Sequence, residues 1–390
     1  MSEFDGGVKF VHFGLTCGPV CSGITSHSQR ETTLKPWSRW EASGRTALHE
    51  SIMIAVTAMI FSLGWSTDAR AKMCDAAFYE KLRSAPDGKD DRINVDCDLQ
   101  LRPDDVITRK LVFAGEAASG VSLDCQGATL GSSKMKYSVG APTVLVRSQK
   151  LPGDSGWSVP RDIRITNCKI VGNIRLTGLG PNGEAEDVRK SSLTRDHTAN
   201  AQRNAPSGIE LTNISVEAVG TIPLYFGPGV TKSSLTNSTI RGKSAKTVIY
   251  LDAESAENVI SGNRFSIKAD REMIAVDGSA RNVISGNVFR NPTKGGIFVY
   301  RNCGEGGTIR HQEPRSNRII DNRFVYRSSI VAYPAIWLNH RDVGKWYCKV
   351  DPRYPFGSSL DPRDRAVDNV LAGNRFEGAI SPMVLNTERK

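Results

Sequence analysis

The sequence has no apolar run long enough to span a bilayer. Its longest run is residues 52–65 (IMIAVTAMIFSLGW), which precedes Ala69-Arg70-Ala71, whereas a membrane-spanning helix needs about 20 apolar residues. A short apolar segment followed by an A-x-A sequence is typical of a signal peptide. We therefore expect cleavage after Ala71, export to the periplasm or the medium, and no stable membrane span in the processed protein.

The leader, residues 1–71, is longer than an ordinary signal peptide, because 51 residues of mainly polar character precede the apolar run. We expect translation to start at Met53, although a signal peptide that starts there lacks a positive charge before its apolar segment. An uncleaved membrane anchor and a buried helix are the alternatives.

No C-x-x-C pair occurs after residue 71, which argues against common zinc and redox motifs. Six cysteines follow the leader, and an even number in an exported chain indicates disulfides. Sequence alone allows fifteen pairings of six cysteines. The pairing that we expect is Cys74 with Cys97, Cys125 with Cys168, and Cys303 with Cys348.

Long helical periodicity is also missing between residues 160 and 386, where one short phrase recurs instead. It ends on an apolar residue, and successive copies at 240, 265 and 289 are 25 and 24 residues apart. A second strand-like segment with alternating apolar residues follows each copy. Two strands per turn in a fixed-period repeat predict a parallel β-solenoid. The five copies occupy 235–240, 260–265, 284–289, 319–324 and 371–376.

The phrase Asn-Xaa-Ile-Xaa-Gly-Asn-Xaa-Phe at 258–265 and 282–289 resembles that of right-handed parallel β-helix proteins of pectate-lyase-like architecture. That family includes periplasmic repeat proteins related to alginate epimerases and copper-site accessory proteins. The resemblance covers about residues 110–386 and implies an all-β, single-stranded right-handed parallel β-helix. No catalytic residues are carried over, because the Asp-Pro-His-Asp epimerase motif and the Asn-Thr-Asp, Asp-Asp and Arg-Ile-Lys polygalacturonase set are absent.

One long domain is expected after the leader, because a solenoid core grows along its axis. Residues 72–110 form the predicted N-terminal cap, with a short amphipathic helix at 72–84 covering the open end. Residues 111–390 form the predicted coil. Insertions at 178–208, 301–316 and 340–368 interrupt it, and insertions this long are often functional.

Aligning the second strands on their buried residues predicts which outward side chains become neighbours one turn apart. The predicted aromatic column is Tyr225, Tyr250, Ala275, Phe298 and Trp337, beside a polar column of Gly227, Asp252, Asp277, Tyr300 and Asn339. Such columns are expected to form an open sugar-binding groove. The alternative is that the long loops cover the aromatic side chains as a secondary core. The expected substrate-binding residues are Tyr225, Tyr250, Phe298, Trp337, Asn339, His311 and Arg315.

Two reactions fit these residues. A lyase or epimerase acting on uronic acids would use Tyr300, His340 or His311 as base or acid, with Arg301, Arg315 and Arg341 binding the substrate carboxylate. A glycoside hydrolase would instead use the carboxyl groups of Asp252 and Asp277, expected to lie about 5 Å apart. The candidate catalytic residues are Asp252, Asp277, Tyr300, His340, Arg301 and Arg341.

The net charge of +10 belongs to the chain after the leader, since the leader holds six basic and six acidic residues. A basic exported protein is expected to meet an acidic polysaccharide rather than nucleic acid. No cofactor is required by either reaction, although Asp252, Glu254 and Asp277 could together bind Ca²⁺. A non-catalytic carbohydrate-binding or scaffold solenoid is the alternative from another functional class.

Overall fold

The described chain coils through three parallel sheets. The computed structural model describes residues 72–86, 91–138, 140–181, 185–342 and 351–388. The predicted leader, with its signal peptide and cleavage site, lies outside these ranges. No helix within them has the length and apolar character needed to cross a membrane.

Sheet 1, which carries the predicted columns, has ten strands in the order Arg92–Asn94, Lys110–Ala114, Val144–Arg147, Ile174–Thr177, Leu224–Phe226, Ile249–Leu251, Ile274–Asp277, Ile297–Tyr300, Ile336–Leu338 and Val384–Asn386. Sheet 2 has nine: Leu99–Gln100, Ser122–Asp124, Arg164–Thr166, Glu210–Thr212, Ser234–Thr236, Val259–Ser261, Val283–Ser285, Arg318–Ile320 and Val370–Ala372. Sheet 3 also has nine: Val106–Ile107, Thr129–Leu130, Lys169–Val171, Ser215–Gly220, Thr239–Ser244, Arg264–Ala269, Val288–Arg290, Arg323–Val325 and Arg375–Glu377.

This arrangement is the predicted right-handed parallel β-helix, in which each turn visits sheets 2, 3 and 1 in that order. The expectation of two strands per turn is wrong, because each turn has three. The repeated phrase itself bends at its Gly-Asn corner into two strands, such as Val259–Ser261 and Arg264–Ala269. Short polar corners within one apolar phrase are easily mistaken for a continuous strand.

The corner between sheets 2 and 3 requires left-handed backbone. Gly262 and Gly286 have φ of 68° and 62°, and Asn237 and Asp321 occupy the same corner with φ of 50° and 55°. Glycine adopts this conformation without steric cost, and Asn and Asp tolerate it better than other residues. The corner chemistry therefore explains why the phrase varies only among Gly, Asn and Asp at this position.

Asparagine side chains stack at the next position and hold successive turns together. The Nδ2 of Asn287 donates to the side chain of Asn322 at 3.0 Å and to the Ile260 carbonyl at 2.7 Å. These asparagines therefore have a structural role. A second ladder repeats the arrangement. The two ladders are Asn263, Asn287, Asn322 and Asn374, and Asn258, Asn282, Asn317 and Asn369.

The predicted N-terminal capping helix is present as Ala76–Arg83. Asp75 caps it by accepting from the Phe78 N–H at 2.8 Å, and Leu82 is buried against the coil. Disulfides join Cys74 to Cys97 and Cys125 to Cys168, as expected. Cys303 is also disulfide-bonded, and its expected partner, Cys348, lies outside the described residues.

The insertion after residue 178 contains two seven-residue helices that the sequence did not predict, Glu186–Ser192 and His197–Arg203. Each is only two turns long, so its hydrophobic period is too short to stand out among polar residues. A third short helix, Gly357–Leu360, lies in the last insertion. Smaller elements are the hairpin of Gln149–Lys150 with Trp157–Ser158 and the 3₁₀ turns Glu116–Ala118, Pro152–Asp154 and Glu305–Gly307.

Candidate anion-binding site on sheet 1

The outward side chains of sheet 1 stack in the predicted register. Tyr225 pairs with Tyr250, and Phe298 pairs with Trp337. One turn before Tyr225 the same column begins with Arg175, whose guanidinium lies 4.9 Å from the Tyr225 ring centroid. The inward residues on which the strands were aligned are buried in the core: Phe226, Leu251, Val276, Val299 and Leu338.

Two tyrosine–aspartate pairs cross adjacent turns. The Tyr225 hydroxyl donates to Asp252 Oδ2 and the Tyr250 hydroxyl donates to Asp277 Oδ2, both at 2.5 Å. Burial, followed by the neighbouring carboxylates, raises the pKa of both tyrosines well above the ordinary value. Both hydroxyls therefore remain protonated at neutral pH.

Arg310 supplies the positive charge between the two aspartates. Its Nη1 lies 2.7 Å from Asp252 Oδ1, and its Nη2 lies 3.9 Å from Asp277 Oδ2. Burial alone would lower the pKa of this arginine, but the carboxylates of Asp277 and Asp252 raise it above its usual value. One buried guanidinium thus serves two carboxylates that belong to successive turns.

The loop that carries Arg310 is fastened through Glu254. This buried carboxylate accepts the His311 N–H at 2.7 Å, the Gln312 N–H at 3.1 Å and the Thr198 hydroxyl at 2.5 Å. His197 Nε2 lies 3.9 Å from the same carboxylate. Glu254 therefore ties the helix His197–Arg203 and the loop around Arg310 to the coil.

Beside this network, a cavity of about 480 Å³ lies along the outward face of sheet 1. Its walls include Tyr225, Tyr250 and the corner residues 220–222 and 245–247. Among the described residues, Asp252 is the only acidic side chain in its lining, whereas five cationic side chains reach it. These are Arg175, Lys246, Arg271, Arg310 and Arg341. The cavity is therefore electropositive and suited to an anionic ligand.

The expected open groove is wrong, because every residue of the two predicted columns is buried except Tyr250 and Trp337, which are half-buried. Asp277 and Tyr300 have no exposed surface, and Phe298 is 2% exposed. The Tyr300 hydroxyl donates to Glu272 at 3.0 Å, and burial raises the pKa of Tyr300 well above its usual value. The loops cover this part of the aromatic column as a secondary core, because apolar rings gain more from burial than from solvent contact.

Several other candidate residues hold loops in place. The Arg301 guanidinium donates to the Asp361 and Arg363 carbonyl groups at 2.6 and 2.7 Å. His311 Nε2 lies 2.8 Å from the Ser192 carbonyl oxygen. Arg315 forms an exposed pair with Asp368. None of the three candidates lines the cavity.

The remaining candidates lie at the far end of the column. Asn339 is buried and accepts the Ala366 N–H at 2.9 Å, which is a corner role. The indole of Trp337 donates to Thr387 at 3.0 Å. The His340 ring stacks on Phe298 at 4.6 Å between centroids, while Arg341 reaches the cavity.

The expected calcium ligands do not form a metal-binding group. Asp252 and Asp277 face Arg310, and both carboxylate oxygens of Glu254 accept hydrogen bonds from the covering segments. Within the described ranges, no group of three His, Cys, Asp or Glu side chains is arranged to hold a metal ion. A guanidinium already lies where the aspartates would present their oxygen atoms to Ca²⁺.

Sequence reasoning missed Arg175, Arg271 and Arg310. Arg175 occupies an outward position one turn before Tyr225, so extending the column alignment by one strand would have found it. Arg271 lies in a corner without a repeated pattern. Arg310 lies 58 residues after Asp252 in an insertion outside the repeat, where no periodic signal relates the loop to the strands.

The chain matches no protein-family model and no curated protein sequence. It is similar to solved structures of low identity, including these three. An alginate lyase from Paenibacillus sp. is 12% identical over 75% of this chain and 98% of that chain, with a TM-score of 0.31. The A-module of a mannuronan C-5 epimerase from Azotobacter vinelandii is 12% identical over 74% and 78%, with a TM-score of 0.36. A periplasmic alginate epimerase is 11% identical over 79% and 81%, with a TM-score of 0.24. Similarity at this level supports no conclusion about activity.

Proposed function

We propose that this protein is exported, binds an acidic polysaccharide in the sheet 1 cavity, and cleaves or epimerises a uronic acid residue there. The observation that carries the proposal is the charge of the cavity. Five cationic side chains reach one space of about 480 Å³, and the single lining carboxylate, Asp252, is already paired with Arg310. Three of these side chains, Arg175, Arg271 and Arg341, carry guanidinium groups, which bind carboxylates through paired hydrogen bonds.

A uronate carboxylate fits this charge and prepares the sugar for reaction. Lyases and epimerases both remove the proton next to the carboxylate, and the negative charge that develops must be stabilised. In the proposed complex, Arg175, Arg271 and Arg341 bind the carboxylate through their guanidinium groups. These arginines stabilise the negative charge that develops on the uronate, so the proposed reaction needs no metal ion.

Tyr250 and Asp277 form the proposed proton-handling pair. Tyr250 lines the cavity, and its hydroxyl donates to Asp277, which is not among the lining residues. As the sugar C–H proton moves to the Tyr250 oxygen, the hydroxyl proton moves to Asp277. In a lyase reaction, the proton returns from Asp277 through the Tyr250 hydroxyl to the glycosidic oxygen as its bond to the sugar breaks, which gives an unsaturated sugar and a chain that ends in a hydroxyl. In an epimerase reaction, a water molecule protonates the carbanion from the opposite face, and the hydroxide that is left takes the proton from Asp277.

The hydrolase alternative fits the site less well. It needs two carboxyl groups that flank a glycosidic bond, one of them placed to protonate the leaving oxygen. Asp252 and Asp277 instead face the same guanidinium, and Asp277 is fully buried. We therefore do not propose glycoside hydrolysis.

A non-catalytic carbohydrate-binding protein is the second candidate. It is favoured by the burial of Asp277 and Tyr300 and by the loop-holding roles of Arg301 and His311. Export to the periplasm or the medium is common to both candidates. It is supported by the two disulfides, which are typical of oxidising compartments.

The test is incubation of the purified protein with alginate, polygalacturonate and neutral dextran. A lyase gives ultraviolet absorbance from the unsaturated product, and an epimerase gives altered NMR signals of the uronate residues without chain cleavage. Tyr250→Phe should lower turnover about 100-fold or more while retaining binding. Arg264→Gln, an exposed change outside the cavity, is the control and should retain both.

Binding also has a direct test. Arg271→Gln with Arg341→Gln should weaken polyuronate affinity about tenfold or more, since two charge-assisted contacts are lost. Polyuronate binding without turnover would select the non-catalytic candidate. Failure of the unaltered protein to bind any polyuronate would overturn both.

A further inference from the structure

A second basic cavity lies beside the first. It has a volume of about 430 Å³, and its cationic lining residues are Lys268, Arg271, Arg290, Lys294 and Arg327. Among the described residues, no Asp or Glu side chain lines it. Apart from Arg271, which pairs with Glu272, these cations are exposed and have no ion-pair partner within the described ranges.

This second cavity lies at the corner where the chain passes from sheet 3 to sheet 1. The strand Arg264–Ala269 has six residues, but the strand of the next turn pairs with it only at Arg264 and Phe265. Residues 266–269 consequently have a ladder partner on one side only. Their free edge presents backbone N–H and C=O groups to the cavity, which adds hydrogen-bonding capacity to its positive charge.

Arg271 connects the two cavities, because it lines both. The first cavity borders corner residues 220–222 and 245–247, and the second borders residues 291, 293 and 294 of the same corner in a later turn. Adjacent turns of the coil are about 4.8 Å apart. From Lys246 to Arg327, four successive turns of this corner therefore form a cationic path about 14 Å long.

We propose that the two cavities form one cleft for a linear polyanionic glycan, with the second cavity binding uronate residues beyond the reacting one. This inference rests on the proposed function. The cationic side chains would pair with successive carboxylates, and the free strand edge would bond sugar hydroxyl groups. A linear ligand is required because the positive path follows the coil axis past Arg271.

The test compares two matched pairs of substitutions. Lys268→Gln with Lys294→Gln removes two exposed lysines from the second cavity. Lys134→Gln with Lys136→Gln removes two exposed lysines outside both cavities. Binding of an alginate trisaccharide and an alginate decasaccharide is measured by calorimetry at one fixed salt concentration.

The unaltered protein should bind the decasaccharide more tightly than the trisaccharide. The Lys268/Lys294 variant should lose about tenfold in decasaccharide affinity and keep its trisaccharide affinity, which also serves as the folding control. The Lys134/Lys136 variant should match the unaltered protein with both ligands.

Equal affinity of the unaltered protein for both lengths would overturn the second subsite, while leaving the proposed function in place. The same conclusion follows if the two double variants lose equal affinity for the decasaccharide. Absence of binding to either oligosaccharide by the unaltered protein would overturn this extension, and absence of binding to polygalacturonate as well would overturn the proposed function with it.

Discussion

The coil has a repetitive side, where neighbouring turns contact each other through identical residues, and a variable side, the outward face of sheet 1, where the residues differ from turn to turn. On sheet 3, Phe265, Phe289 and Phe324 stack with centroids 4.7 Å apart and nearly parallel rings. On the outward face of sheet 1, Tyr250 is instead followed one turn later by Ala275, and neighbouring polar groups bond to inserted loops. Repetition marks the places where turns satisfy each other, and variation marks the places where a loop or a ligand meets the coil.

The largest loss of stability should follow from replacing Arg310, which contacts the variable side. Arg310→Ala leaves Asp252 and Asp277 buried without their cation, so the free energy of unfolding should fall by about 4 kcal/mol. Denaturant unfolding measures the change. Replacing both aspartates with Asn in the same variant should recover part of the loss. If Arg310→Ala has the unfolding free energy of the exposed control Arg264→Ala, the ion pairs do not hold the loop.

Removing one asparagine from the ladders of the repetitive side should lower the free energy of unfolding somewhat less. Asn287→Ala removes the acceptor of the Asn263 N–H and the donor to the Ile260 carbonyl, leaving two buried groups unsatisfied. We expect about 3 kcal/mol of lost unfolding free energy, measured against Arg264→Ala. A loss within the error of that control would show that the ladder is not a stabilising element.

A fall in pH should reduce the contribution of His197, which lies against the variable side, to the free energy of unfolding. Burial lowers the pKa of His197 to about 4, although Glu254 opposes the shift. Between that value and the usual 6.5 the unfolded chain binds more protons, so this contribution is complete above pH 6.5 and is lost as pH falls toward 4. The His197 contribution to the free energy of unfolding should fall by about 2 kcal/mol from pH 7 to pH 5. Chemical denaturation at both pH values should show a smaller pH effect in His197→Gln, and an equal effect would contradict the assignment.

The smallest effect is expected from charge pairs on the outer surface of the repeat. Arg323 and Glu377 form a close pair across one turn, but their side chains are 52% and 42% exposed. Solvent screens such pairs, and fixing two long side chains costs entropy. Arg323→Gln should therefore unfold at the same denaturant concentration as the unaltered protein. A clear shift would show that surface pairing contributes to turn-to-turn cohesion.

The fold was predictable because each turn repeats its neighbour's burial pattern. Aligning Phe226, Leu251 and Val276 was enough to place Tyr225 beside Tyr250, as the register confirms. What the sequence could not supply was the position of the loops over those columns. A carboxylate such as Asp277 has the same sequence signature whether it faces solvent or a buried guanidinium.

The division between coil and loop also constrains how this protein can change over generations. Arg310 belongs to a segment outside every sheet. Its partners belong to the coil, where Asp252 directly follows the strand Ile249–Leu251 and Asp277 ends the strand Ile274–Asp277. A recombination event that exchanged the loop alone would keep every ladder hydrogen bond and still leave two buried charges uncompensated. Descendants with altered ligand preference should therefore exchange Arg310 and its aspartates as a set, even though Arg310 lies 33 residues after Asp277 and 58 residues after Asp252 in the chain.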